Sequence, residues 1–228
     1  MAPSTYTSSL PPPPPPPPPT SQGNQFDPGV HNVDDDCPFC KITATYAPYD
    51  PTNPPQPSSS TGSSSNTSSD PLNPEAGAPN PPTFVVLSTP LLIAFLDIMP
   101  LSHGHVLLCP RAHRPKLSDV TSPESRELGY FLRLLSSAVA RATGVGDWNV
   151  VQNNGAAAAQ VVPHMHFHII PRPELRANGR SKERFTSTMF GRGQREELDE
   201  EEAGPLAQSI REAIAQLLQE EEQSKPKL

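Results

Sequence analysis

Several things are scarce in this chain, and each scarcity excludes a class of protein. No run of roughly 18 apolar residues is present, so no stretch reads as a membrane-spanning helix. The first ten residues are polar and lead straight into proline, without the charged-then-apolar layout of a secretory leader, and the expectation is an intracellular protein, cytoplasmic and/or nuclear. Aromatic residues make up 6% of the 228, with one tryptophan, too few for every segment to bury a core. Positive charge is in deficit: the net charge of -7 disfavours general nucleic-acid binding. Only three cysteines are present, which is no disulfide framework. Two of them form Cys37-Pro38-Phe39-Cys40, a spacing that in a reducing compartment binds metal or does redox chemistry more often than it staples a fold.

Proline, by contrast, is abundant, with 32 residues, and it divides the chain. Residues 1–33 read as a disordered Pro-rich region in which Pro11 to Pro19 form a polyproline II rod, a shape that suits an aromatic-lined groove of the SH3 or WW type or serves as a bare spacer. A domain is expected over 34–175, interrupted by a Pro/Ser-rich insertion over 44–82 with almost nothing to bury. A charged extension follows over 176–228, basic from Arg176 to Arg195, acidic from Glu196 to Glu202, then with a helix over 206–222.

Within the domain the apolar pattern gives an α+β fold. Thr83 to Ser88 and Leu91 to Leu96 read as antiparallel strands joined by a tight turn, and Gly104 to Cys109 as a third. Ser122-Pro123-Glu124 opens a helix of about 21 residues whose apolar positions Leu128, Phe131, Leu132, Leu135, Val139 and Ala142 recur at helical spacing until Gly144. Trp148 to Gln152 is a fourth strand and Asn153-Asn154-Gly155 a turn. The fifth strand is His164-Met165-His166-Phe167-His168-Ile169-Ile170, so the sheet is antiparallel, of about five strands, with one principal helix lying on it.

That last stretch organises the chain chemically. Side chains alternate faces along a strand, so His164, His166 and His168 share one face and Met165, Phe167 and Ile169 the other. Same-face neighbours sit about 6.5 Å apart, near enough to serve one extended ligand. The alternative is a structural metal site. For covalent chemistry imidazole suits phosphorus well: it is partly neutral near pH 7, attacks readily, and leaves once the phosphoramidate is protonated.

The His-Met-His-Phe-His-Ile-Ile run resembles the signature of the histidine triad (HIT) family. Further matches in order are Cys37 to Ile42, Ala94-Phe95-Leu96-Asp97-Ile98, Gly104 to His113, and Asn153-Asn154-Gly155 through Gln160. The resemblance covers about 37–42 and 83–173. It implies a homodimer that hydrolyses or transfers a nucleoside monophosphate from an adenosine-type substrate, either a dinucleoside polyphosphate or an adenosine phosphoramidate, through a covalent nucleotidyl-histidine, with no metal needed for the chemistry.

Carried over by position, the resemblance makes His166 the nucleophile, with its other ring nitrogen held by a neighbouring acceptor, and His168 the binder of the phosphate oxygens. Asp97 would hold the ribose hydroxyls, Phe95 and Ile98 would flank the base, and Asn153 and Gln160 would contact the phosphate or leaving group. In zinc-binding members of the family the ligands match Cys37, Cys40, His113 and His164, which implies a structural Zn²⁺ and gives His164 a structural part within the triad; Cys109 then reads as core. The loop before the triad departs from the pattern: Ala159 stands where the family has glycine, and Val161 where it has a hydroxyl, so an altered leaving-group preference or slower turnover is expected. A different class of function stays open beside this one, a nucleotide-binding interaction protein with little turnover that recruits partners through its polyproline tract.

Overall fold

The computed structural model describes residues 36–56, 72, 83–173 and 197–224. The polyproline tract, most of the insertion and the basic stretch from Arg176 to Arg195 lie outside the described residues. Among those described, the order is α1 (Pro38–Thr45), β1 (Val85–Ser88), β2 (Leu92–Leu96), β3 (Val106–Pro110), α2 (Ser122–Thr143), β4 (Trp148–Gln152), β5 (Phe167–Pro171) and α3 (Glu200–Ser224). The five strands form one sheet in the order β1-β2-β3-β5-β4. Every pairing is antiparallel, the α+β architecture that the apolar pattern predicts.

Strand alternation gives the sheet two different faces. Leu92, Ala94, Leu96, Val106, Leu108 and Ile169 point to one side, where α2 and α3 cover them. Ile93, Phe95, Leu107 and Cys109 point to the other, where they meet Cys37, Phe39, Cys40 and Ile42 from α1. Cys109 is thus core, as read from the sequence, and burial pushes its thiol well above the ordinary range.

Helix α2 is specified at both ends. Thr121 and Glu124 form a reciprocal capping box, with the Glu124 carboxylate accepting from the Thr121 N–H at 2.7 Å, and Gly144 closes the helix at φ 68°. The cap is Thr121, one residue ahead of the expected start. Between the caps, Leu128, Leu134, Leu135 and Val139 are buried, each worth about 1.5–3 kcal/mol relative to exposure.

Two expectations need correction. A second long helix joins α2: α3 begins at Glu200, not 206, and sinks Leu206, Ile210, Ala213 and Ile214 into the same core. Pro205 looks like a helix start in sequence, but it lies in the second turn, and the residue whose carbonyl it leaves without a helical donor, Glu201, is exposed to water. The insertion, expected from Ala44 with almost nothing to bury, contains a docked stretch over residues 46–56. Tyr46 is buried and donates its hydroxyl to the Thr83 carbonyl at 3.1 Å, and the Tyr49 N–H donates to the Ser88 carbonyl at 2.9 Å. Two tyrosines among many prolines and serines carry enough buried surface to dock this stretch on β1.

Candidate active site and metal centre

The three histidines do not lie in one continuous strand, as their alternation suggests. β5 starts at Phe167 because the Met165 N–H donates to the Arg114 carbonyl at 2.5 Å, outside any ladder, and the His164 N–H donates to the Val162 carbonyl at 2.8 Å in a tight turn. Facing survives without the ladder. Met165 is fully buried with the apolar core, and the His166 and His168 rings meet edge to face with centroids 4.7 Å apart on the opposite side. Register then lines up Phe95, Leu107, His168 and Val151 across β2, β3, β5 and β4.

The His166 ring is buried, and its Nδ1 lies 2.6 Å from the backbone carbonyl of His164. A carbonyl only accepts, so Nδ1 carries the proton and the Nε2 lone pair is left as the reactive one. Burial holds the imidazole below its ordinary pKa and so keeps it neutral, against the opposite pull of that same hydrogen bond. Phe39 of α1 meets the ring edge-on at 5.1 Å and also touches Phe95 at 5.3 Å.

His168 is positioned from the other side. Its Nδ1 lies 3.0 Å from Nε2 of His105, a residue that is itself 1% exposed. The Leu101 N–H points at His105 Nδ1 from 3.2 Å, which favours the tautomer with the proton on Nε2. That proton is then donated to His168 Nδ1, and His168 keeps an N–H on Nε2. Asp97 lies beside this pair, its Oδ2 3.4 Å from His105 Nδ1 and its Oδ1 accepting from the Met99 N–H at 2.9 Å.

His164 turns its ring away from this group and into the cysteines. Its Nδ1 is 3.4 Å from Cys37 Sγ and 3.6 Å from Cys40 Sγ, and His113 Nδ1 is 3.4 Å from Cys40 Sγ. All four donor atoms lie within 4.8 Å of one another. A tetrahedral Zn²⁺ with bonds of about 2.3 Å to sulfur and 2.0 Å to nitrogen would place neighbouring S and N donors about 3.5 Å apart, so the residues fit. His164 Nε2 donates to the Pro110 carbonyl at 2.9 Å, the outer bond that orients a metal-binding imidazole. The Cys37 thiol is drawn far below its ordinary pKa, chiefly by the hydrogen bond from Cys40 and then by His164, against the opposing effect of burial.

The remaining predicted positions differ in place and exposure: Asn153 follows Gln152, which pairs with Phe167, while Ile98 lies beyond Leu96, which pairs with Val106 at the other end of the strands. Phe95 is buried against Phe39, which meets His166, whereas Ile98 is 40% exposed. Asn153 is half-buried, its carbonyl accepting from the Gln152 side chain at 3.0 Å. Gln160 is buried, and its amide is tied to protein at both ends, accepting from the Gly155 N–H at 2.6 Å and donating to the Pro115 carbonyl at 2.8 Å. The Val161 side of this loop is almost wholly exposed.

Sequence reasoning assigned nothing to His105, Phe39 or the nearby arginines. His105 could be found only by knowing that β3 lies beside β5, since its partner is 63 residues away. The arginines are spoken for: Arg114 pairs with Glu124 of the α2 cap at 3.1 Å, Arg172 donates to Asn149 at 2.7 Å, and Arg111 is sunk under the sheet edge.

Comparison with known proteins agrees with this geometry. The HIT domain family model matches residues 78–175. The adenylylsulfatase HINT3 of Arabidopsis thaliana is 43% identical over 84 residues, 37% of this chain and 43% of the relative. The adenosine 5'-monophosphoramidase HNT1 of Candida albicans is 31% identical over 144 residues, 60% of this chain and 86% of the relative. Across other curated relatives coverage is smaller: the chain spans 66% and 55% of the length of two fungal phosphoramidases. A solved structure of a zinc-bound histidine triad family protein from Mycobacterium smegmatis superposes with a TM-score of 0.52 at 23% identity, covering 81% of this chain and 96% of that one, and so shares the fold. With the sheet, the triad and a relative matched over most of its length in agreement, the chain belongs to the HIT family.

Proposed function

We propose that this protein is a nucleotidyl hydrolase that releases a nucleoside 5'-monophosphate, of the adenosine type, through a covalent nucleotidyl-histidine on His166. The observation that carries the reading is the His164 carbonyl 2.6 Å from His166 Nδ1, which leaves Nε2 as a buried, neutral nucleophile. His166 Nε2 attacks the α-phosphorus, the bond from phosphorus to the leaving group breaks, and the leaving group departs with its electron pair. Water then attacks the phosphorus of this histidine-bound intermediate and gives up a proton to solvent, matching the one the leaving group takes up, while the electron pair of the broken P–N bond returns to Nε2 and the nucleoside monophosphate leaves. His168 presents its Nε2–H to a non-bridging phosphate oxygen, held in that tautomer by His105. Asp97, a carboxylate able to accept from two hydroxyls, would hold the ribose, beside Phe95 and Ile98 at the base. Asn153 lines the phosphate end, and Gln160 shapes it by bracing the loop.

Cys37, Cys40, His113 and His164 would hold a structural Zn²⁺, whose contribution is to fix α1 and the triad turn in place. Relatives named as adenosine 5'-monophosphoramidase and adenylylsulfatase support reading the substrate as one with a small leaving group in place of a second nucleoside. A homodimer is the expected assembly.

The test is steady-state release of AMP from an adenosine phosphoramidate, adenosine phosphosulfate and diadenosine triphosphate, with His166→Ala as control. Release dependent on His166, with a trappable nucleotidyl adduct in the wild type, supports the reading. Nucleotide binding without turnover on any of the three would sink it in favour of a nucleotide-sensing interaction protein.

A further inference from the structure

Helix α1 has eight residues and brings two of the four candidate metal ligands, Cys37 as its N-cap and Cys40 in its first turn, yet a helix this short has little stability of its own. No basic residue occupies its last turn. Its C-terminal carbonyls form the negative end of the helix dipole and need donors from outside. They receive them from Arg111. The guanidinium donates from Nη1 to the Thr43 carbonyl at 2.7 Å and from Nη2 to the Tyr46 carbonyl at 2.5 Å. The same side chain is anchored in the sheet, donating from Nη2 to Ser88 Oγ at 2.5 Å and from Nε to the Thr89 carbonyl at 2.7 Å. It is 1% exposed, and although burial lowers its pKa to about 10 it stays charged at neutral pH.

The position of Arg111 in the chain matters as much as its bonds. It follows Pro110, whose carbonyl orients the His164 ring, and precedes by two residues His113, which lies against Cys40. Its own carbonyl accepts from the Thr43 hydroxyl at 3.4 Å, and that hydroxyl also donates to the Cys40 carbonyl at 2.9 Å. One four-residue segment therefore supplies one imidazole ligand, contacts the other and, through a charged clamp, holds the helix whose N-terminal end presents both thiols.

We infer that Arg111 is the positioning residue of the metal centre, docking the C-terminal end of α1 so that Cys37 and Cys40 stand in place before a metal arrives. The inference rests on the proposed metal site. Arg111 and the metal hold opposite ends of the same helix, so the site is preformed and the metal exchangeable without loss of α1.

Three measurements on the full chain test this: Zn²⁺ affinity by competition with a chromophoric chelator, the absorption of the Co²⁺ form, and hydrogen exchange over residues 38–46 with metal stripped. Stripped wild type should keep the Lys41 and Tyr46 amides protected, since their bonds to Cys37 and Ile42 carbonyls remain. Arg111→Met should bind Zn²⁺ about 10–100-fold more weakly, the usual loss for an outer-shell partner. It should also show a weaker Co²⁺ band and lose that protection. Arg111→Lys, with the charge but not the planar fork, should fall between. A general stability role would instead lower the melting temperature equally with and without metal and leave the affinity unchanged, which overturns the inference. If Arg111→Met does not fold, Ser88→Ala should still weaken Zn²⁺ binding, and loss of α1 protection in stripped wild type overturns the inference whichever variants fold. A wild-type chain that takes up neither ion sinks the metal site as well.

Discussion

Ala159 is the one non-glycine residue with positive φ among the described residues, at φ 64° and ψ 27°. An L-residue there brings Cβ against its own carbonyl, at a cost of about 1–2 kcal/mol. The loop holds it there by force of numbers. The Ala159 N–H donates to the Ala156 carbonyl at 2.9 Å, the Gln160 N–H to the Gly155 carbonyl at 3.2 Å, and the Gln160 side chain bridges Gly155 and Pro115. Ala159→Gly removes the steric cost and adds about 0.4–1 kcal/mol of unfolded-state freedom in the opposite direction. The balance favours glycine by about 0.5–1 kcal/mol, which for a chain of this size raises the melting temperature by about 1–4 °C. Ala158→Gly is the internal control, because Ala158 has ordinary φ and its substitution should destabilise by about 0.5–1 kcal/mol. Calorimetric melting of the full chain reads both signs. If the two variants lose stability alike, Ala159 is not strained and the reasoning fails.

Other expected outcomes follow from the same structure. Gly104→Ala would place a Cβ 2.5 Å from Thr143 Cγ2 at a backbone φ of 82°, so it should cost about 2–4 kcal/mol, and Thr143→Ala added to it should recover only the packing part. Stripping metal with a strong chelator should lower the melting temperature by about 8–16 °C if Zn²⁺ was present at about a thousand times its Kd, and returned Zn²⁺ should restore it. His166 has a folded-state pKa below its unfolded value near 6.5, so the unfolded chain binds the extra proton first. The stability this residue contributes is complete above pH 6.5 and is lost as pH falls through the folded pKa. His166→Gln should flatten the melting temperature against pH below about 6.5, and an unchanged slope would rule that origin out.

Much of the fold is legible in the sequence because its signals are local. The short strand run from Trp148 to Gln152, the stripe from Leu128 to Val139 and the Gly144 stop each depend on neighbours a few residues away. The ordered stretch Tyr46 to Gln56 and the burial of α3 were not legible in the same way, since what decides them is a partner far along the chain: Thr83 for Tyr46, and the sheet face beneath Ile210. Composition marked the first as linker and the second as a helix in a charged extension outside the domain, and tertiary burial joined both to the core.

The site divides along the same line. Three histidines at alternate positions announce chemistry, and Cys-x-x-C announces a ligand pair, but alternation alone assigns the three rings to one shared task. The tight turn at His164 and the late start of β5 separate them: the His164 ring joins Cys37 and Cys40, while the His164 carbonyl takes the Nδ1 proton of His166. One residue thus serves two centres, by its side chain in one and its backbone in the other. On the proposed reading that explains why the first histidine of the run can be given up to a metal at no loss to the nucleophile. His166 needs an acceptor of fixed position, not an imidazole, and a peptide carbonyl whose own side chain is pinned at both ring nitrogens is held more rigidly than any free side chain would be.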